Sequence, residues 1–343
     1  MATVNTDFRT PVELTGVARG AVEAISDELP LNQWLPNTDT ETLSFTFDAS
    51  DRAQDLAKFR SFDTPAPYGR DFGSVQKTGT IPPISQKMRV SEYSELVLAG
   101  RTGQLGQVID KYATGSARDI AFRLEAARAE ALRTGRIVFD ENGLKATVDF
   151  GRDPSLAPTG LAGTARWSQS ASDPIANALA WRLLPQAQKQ PVPTQMLVTQ
   201  DVMDALSVNA KIIAAYFGRT DNLTSRITFE QVRQTFAGYD LTIQVIDQAY
   251  QKVGLAASFF PAGTVMLLPA PGSTLTGGVL GSTEIGVPAE ALQPSYGIGE
   301  SERAGVFAGV FSKSDPEGLD VLVSAIAIPV VARPNATFAT TVL

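Results

Sequence analysis

The stretch Ser116–Gly151 reads SARDIAFRLEAARAEALRTGRIVFDENGLKATVDFG, and its pattern sets the fold class. The first half has helical period. Ile120, Leu124, Ala127 and Ala131 recur on one stripe. Ser116 suits an N-cap, and Gly135 suits the residue just past the last turn. Asp119 with Arg123, Glu125 with Arg128, and Glu130 with Arg133 are opposite charges at i,i+4 or i,i+3 spacing. Their arginines share no single face, so the expectation is a solvated helix, not a track for nucleic acid. The second half has a period of two. Ile137-Val138-Phe139 and Leu144–Phe150 flank Asn142-Gly143, the strongest two-residue hairpin signal. A helix running straight into a hairpin marks the chain as α+β.

Upstream, 10–35 reads as an arm with a short helix opened by Pro11 and broken by Pro30 and Pro36. Leu43, Phe45 and Phe47 alternate with Ser44, Thr46 and Asp48, the signature of a strand with one buried face. The excursion 50–72 follows. It interleaves Phe59, Phe62, Tyr68 and Phe72 with Arg52, Lys58, Arg60, Arg70 and with Asp51, Asp55, Asp63, Asp71. An extended piece, 78–90, could pair back with the first strand. A two-stranded excursion cannot bury those aromatics alone. Either the body of the same chain or a neighbouring subunit must cover them.

Downstream the pattern is mixed. Asp173 and Pro174 open a helix toward Leu184. Strands are expected at 194–198, 241–246 and 264–268, and helices at 201–217 and from Thr228 to Gly238, the latter with Thr228 and Gln231 as a capping box. Residues 272–294 read as a Gly/Thr/Val-rich loop, and strands close the chain around 304–311, 319–331 and 337–342.

Composition narrows the function. The 343 residues contain no His and no Cys. That excludes Ser-His-Asp and Cys-His catalysis, histidine-ligated metals, disulfides and thiolate chemistry. Lys and Arg number 29 and Asp and Glu 36, for a net charge of −7, which argues against general affinity for nucleic acid or anionic membrane. Residues 1–7 lack a basic, then apolar signal pattern, and the longest apolar run, 321–332, is too short to cross a bilayer. No membrane association is expected. Without a secretory signal, the sequons at Asn222 and Asn335 carry no weight.

Short motifs dissolve on inspection. Asp71-Phe72-Gly73 and Asp149-Phe150-Gly151 spell a kinase magnesium motif in a chain without the histidine that family's catalytic loop needs. Ser74-Val75-Gln76-Lys77 and Lys77-Thr78-Gly79 mimic penicillin-binding motifs but share Lys77. Gly297-Ile298-Gly299 places Glu302 where a dinucleotide fingerprint needs glycine. Carboxylate pairs such as Asp140-Glu141 sit in turns, with nothing to single one out as a glycosidase dyad. No catalytic residue, cofactor or metal site is assigned.

The order of elements is more informative than any motif. Ala131-Leu132-Arg133-Thr134-Gly135 leads into Arg136-Ile137-Val138 and a hairpin closing on Val148-Asp149-Phe150-Gly151. Ala165-Arg166-Trp167-Ser168 and Asp173-Pro174-Ile175 follow, then Phe259-Phe260-Pro261, Val265-Met266-Leu267-Leu268, a Gly-rich stretch, and strands at 325–332 and 338–343. This order resembles the lambda-type major capsid proteins of tailed bacteriophages, the capsid protein E family.

The resemblance implies an HK97-like fold: N-terminal arm at 1–35, E-loop at 36–92, spine helix and peripheral-domain hairpin at 93–174, axial domain at 175–312, and C-terminal return strands at 313–343. It implies a virion shell protein, assembled in the host bacterial cytoplasm, that packs with itself in hexamers and pentamers around double-stranded DNA. The E-loop residues Arg52, Asp55, Lys58, Phe59, Arg60, Phe62, Asp63, Tyr68, Arg70 and Asp71 would contact an adjacent subunit. Apolar burial, at roughly 25 cal/mol per Å2, would supply the affinity and the mixed charges the register. Ile120, Leu124, Ala127 and Ala131 would lie on the spine. Scaffolding and portal would be separate proteins, and an outer decoration protein is compatible. Two other readings stay open: an encapsulin-type nanocompartment shell, and a carboxylate-dependent carbohydrate-active enzyme.

Overall fold

The computed structural model describes residues 3–48, 76–98, 102–219, 225–246, 249–252, 255–258, 260–272, 280–314 and 317–343. Its centre is the 33-residue helix Thr102–Thr134. This is longer than the sequence suggests. Gly103, Gly106 and Gly115 depress helix propensity in its first half. Packing overrides them, because Leu105, Ile109, Ala113 and Ala117 continue the buried stripe. Ser116 is therefore no N-cap; it lies buried in mid-helix. Gly135 does end the helix, in the left-handed region at φ 72°.

The long helix packs on a six-stranded sheet built around Glu317–Val331. The first half of that 15-residue strand is paired on both edges, antiparallel, by Phe307–Ser314 and by Pro83–Ser91. Its second half pairs with Gly281–Gly286, which in turn takes Asn37–Asp39 in parallel. Thr3–Val4 adds to Phe307–Ser314. Two expectations are corrected here. Residues 272–294 are not all loop, since Gly281–Gly286 is a sheet strand. The segment 78–90 divides: Gln76–Thr80 pairs with Ser44–Asp48, whereas Pro83–Ser91 joins the main sheet.

The helix in the N-terminal segment is also longer than the sequence suggests. Pro11–Ser26 forms a 16-residue helix whose Leu14, Ala18 and Val22 bury against the long helix and the sheet. A capping box starts it: Glu13 N donates to Thr10 Oγ1 at 3.3 Å and Thr10 N to Glu13 Oε2 at 3.0 Å. Thr15 Oγ1 donates to Ala308 O and accepts from Ala308 N, both at 3.1 Å, tying the helix to the sheet.

A second sheet runs Phe338–Thr341, Thr264–Leu268, Gln195–Val198, Thr242–Val245. Every residue of Thr264–Leu268 is buried, as befits a central strand. Helices Pro174–Ala187, Gln200–Val208, Ala210–Phe217 and Phe229–Ala237 accompany it. The caps at Asp173 and at Thr228 with Gln231 form as their residues suggest. The single helix expected over 201–217 is two, because Asn209 leaves helical geometry (ψ 124°) and caps the second through Lys211 N and Ile212 N. A shared core joins the two sheets through Trp34, Leu132, Phe150, Met266 and Ile328.

Candidate assembly surface

The excursion that carries the proposed contact residues is rooted in the body. Ser44–Asp48 and Gln76–Thr80 form an antiparallel ribbon, closed at its base by Ile81 N donating to Leu43 O at 2.9 Å. Phe45 and Ile81 are buried in the shared core. Phe45 lies directly opposite Gly79, where any side chain would run into its ring. Leu43 is exposed, so the expected one-faced burial of 43, 45 and 47 does not extend to it. Arg52, Asp55, Lys58, Phe59, Arg60, Phe62, Asp63, Tyr68, Arg70 and Asp71 lie outside the described residues. Ile120, Leu124, Ala127 and Ala131 are buried on the long helix.

The charges on that helix do not all face solvent. Glu125 and Arg128 are buried and form an ion pair at 3.0 Å. Glu125 Oε1 also accepts from Leu31 N at 2.8 Å. Arg128 Nε donates to Thr283 Oγ1 at 2.9 Å and Nη2 to Asn37 Oδ1. Thr283 Oγ1 donates on to Leu35 O at 2.9 Å. One charged pair thus pins the segment after the N-terminal helix, the long helix and the main sheet together. Burial pushes the Glu125 carboxyl up and the Arg128 guanidinium down, and each charge opposes the other's shift. The i,i+3 spacing was visible in the sequence. Its burial was not, since periodicity does not say which face meets a sheet.

Where the long helix ends, Arg152 reaches back to its last carbonyls, donating to Arg133 O at 2.8 Å and to Leu132 O, and on to Thr337 Oγ1. A cation there suits the negative end of the helix dipole. Burial, and then the Arg133 charge, push its pKa down. Arg152, Arg133, Arg136 and Asp149 line a cavity of about 450 Å3 beside the C-terminal strand. Asp153 N donates to Asn335 Oδ1 at 2.8 Å, so this sequon asparagine is part of the packing.

The hairpin Arg136–Glu141/Leu144–Asp149 turns at Asn142 and Gly143, both at positive φ (47° and 86°), as a two-residue hairpin turn requires. Between it, the long helix and the start of Pro83–Ser91 lies a groove of about 460 Å3 lined by Ile84, Ile120, Leu124, Phe139 and Leu144. Asp140 and Glu141 sit on the hairpin, paired with Lys145 at 3.4 Å and Arg123 at 3.3 Å. Among the described residues, no cluster of His, Cys, Asp or Glu could hold a metal ion, and no helix is long and apolar enough to cross a membrane.

A long helix under a sheet, a two-stranded ribbon leaving the body and a second helix-covered sheet together define the HK97-like phage capsid fold. The fold of a protein assigned as a prophage capsid protein in Escherichia coli CFT073 matches with a TM-score of 0.64 at 14% identity, over 100% of both chains. A phage-related protein of Bordetella bronchiseptica RB50 matches at 0.57 and 13% identity, over 99% of this chain and 98% of that one. The capsid of the Myoviridae phage XM1 matches at 0.50 and 11%, over 92% and 91%. No curated protein sequence matches. Residues 31–342 match the family described as phage major capsid protein E, and the chain belongs to that family. It is a structural protein of the phage virion, whose copies build the capsid shell.

Proposed function

We propose that this chain forms the icosahedral head of a tailed phage from hexamers and pentamers of itself, assembled in the host bacterial cytoplasm around a separate scaffolding protein. A portal would occupy one vertex, and double-stranded DNA would fill the closed shell without sequence-specific contact. A decoration protein on the outer surface is compatible with this scheme. The observation that carries the reading is the family match across 31–342 on a fold of capsid type. The net charge of −7 agrees, because a shell filled by a motor need not bind DNA tightly.

Within that reading, 1–35 is the N-terminal arm, 36–92 the E-loop, 93–174 the spine helix and peripheral hairpin, 175–312 the axial domain and 313–343 the returning strands. The E-loop lies across a neighbouring subunit. There Phe59, Phe62 and Tyr68 bury apolar surface, while Arg52, Asp55, Lys58, Arg60, Asp63, Arg70 and Asp71 set register. Two features support this. The ribbon root at Phe45 and Ile81 is fixed in the core, so what lies beyond it has a rigid base. The four aromatics of 50–72 also need a cover that a lone ribbon does not supply. The test is a Phe59→Ala/Phe62→Ala/Tyr68→Ala variant. The subunit should fold as before while shell yield falls at least ~10-fold. Unchanged shell yield would overturn the E-loop assignment.

A further inference from the structure

The short helix Glu92–Val97, capped by Ser91 Oγ accepting from Ser94 N at 3.3 Å, is inside out. Tyr93, Leu96 and Val97 fall at i, i+3 and i+4, so they share one face, and they are 76%, 68% and 55% exposed. The opposite side turns toward the body. Ser94 and Glu95 are half-buried there, and the helix packs on the strands Pro83–Ser91 and Glu317–Val331. The Glu95 carboxyl is pushed up first by burial and then by Glu317, while the Leu319 N–H and Arg89 act to hold it down. A soluble helix hides its apolar stripe and exposes its carboxylates. This one exposes its apolar stripe, and six residues are too few to be stable by intrinsic propensity.

We propose that the Tyr93–Leu96–Val97 face is a contact between copies of this chain, covered by a neighbouring subunit in the assembled shell. This rests on the shell-forming reading. A second copy is the occupant because copies of this chain build the capsid shell, so each is bordered by others. Size agrees. Three side chains fall well short of the ~800 Å2 per partner that holds a stable pair, so the patch serves as one of several contacts per copy and leaves the free subunit soluble.

The chain lacks cysteine, so Leu96→Cys creates a unique thiol. Its reaction with a reagent small enough to pass the shell should slow at least ~10-fold between free subunits and shells. Leu96→Asp, at an exposed position, should leave the melting temperature of the free subunit unchanged and raise the concentration needed for assembly at least ~10-fold. Equal thiol reactivity in shells and free subunits overturns the contact, as does assembly of Leu96→Asp at the wild-type threshold. Wild-type chain that forms no shells even with its scaffolding partner refutes the shell reading itself, and the contact with it.

Discussion

Replacing Arg128 by methionine would leave the Glu125 carboxylate buried beside Leu31 N without its cation. Removing one member of such a pair costs about 3–5 kcal/mol. Arg128→Met should therefore lower denaturant stability by that order, and Glu125→Leu/Arg128→Met should recover most of it. A double variant as damaged as the single would show that the hydrogen bonds to Thr283 and Asn37 matter more than the charge balance. Gly135 gives a second residue-scale outcome. Its φ of 72° is left-handed, and a Cβ there would sit 2.7 Å from Arg152 Cβ. Gly135→Ala should cost at least about 1–2 kcal/mol from the backbone alone, read as a lower melting temperature. An unchanged melting temperature would contradict the cap geometry.

Elements with local signals were legible: the Asn142-Gly143 hairpin, the Asp173 cap, the Thr228/Gln231 capping box and the Gly135 stop all form where their residues suggest. Elements defined by distant partners were not. The first half of the long helix hides behind three glycines and is held by burial against the sheet. Gly281–Gly286 reads as loop by composition and becomes a strand only because Glu317–Val331 offers it an edge. The N-terminal helix reads as short until its Leu14 face meets the long helix. Its start should be acid-sensitive. Backbone and side-chain hydrogen bonds with Thr10 hold Glu13 below its ordinary value of 4.5. A depressed carboxylate stabilises above its unfolded value and loses that contribution as pH falls through the folded one. Amide protection in 12–16, relative to the intrinsic exchange rate at each pH, should therefore fall below about pH 4.5, and Glu13→Gln should flatten that dependence. A dependence unaltered by Glu13→Gln would rule out the capping box as its cause.

For the whole molecule, absence of His and Cys removed most catalytic chemistry before any fold was known, and the order of helix, hairpin and late strands pointed to the capsid family. The contact surface was less legible. Residues 52–71 were singled out because their aromatics lacked a cover, and they lie outside the described residues. The inverted helix at 92–97 was missed because Glu-Tyr-Ser-Glu-Leu-Val is an ordinary amphipathic string, and only the packed structure shows which side faces out. The central claim is that this chain exists to close a shell around a genome. It is tested most directly by the mass and content of the native particle, from sedimentation and electron microscopy with nuclease-protected nucleic acid measured on the same fraction. Regular multi-megadalton shells holding protected double-stranded DNA are the expected result. A discrete species near 36.5 kDa that stays unassembled with its scaffolding partner, or closed shells filled with protein and no DNA, would contradict it.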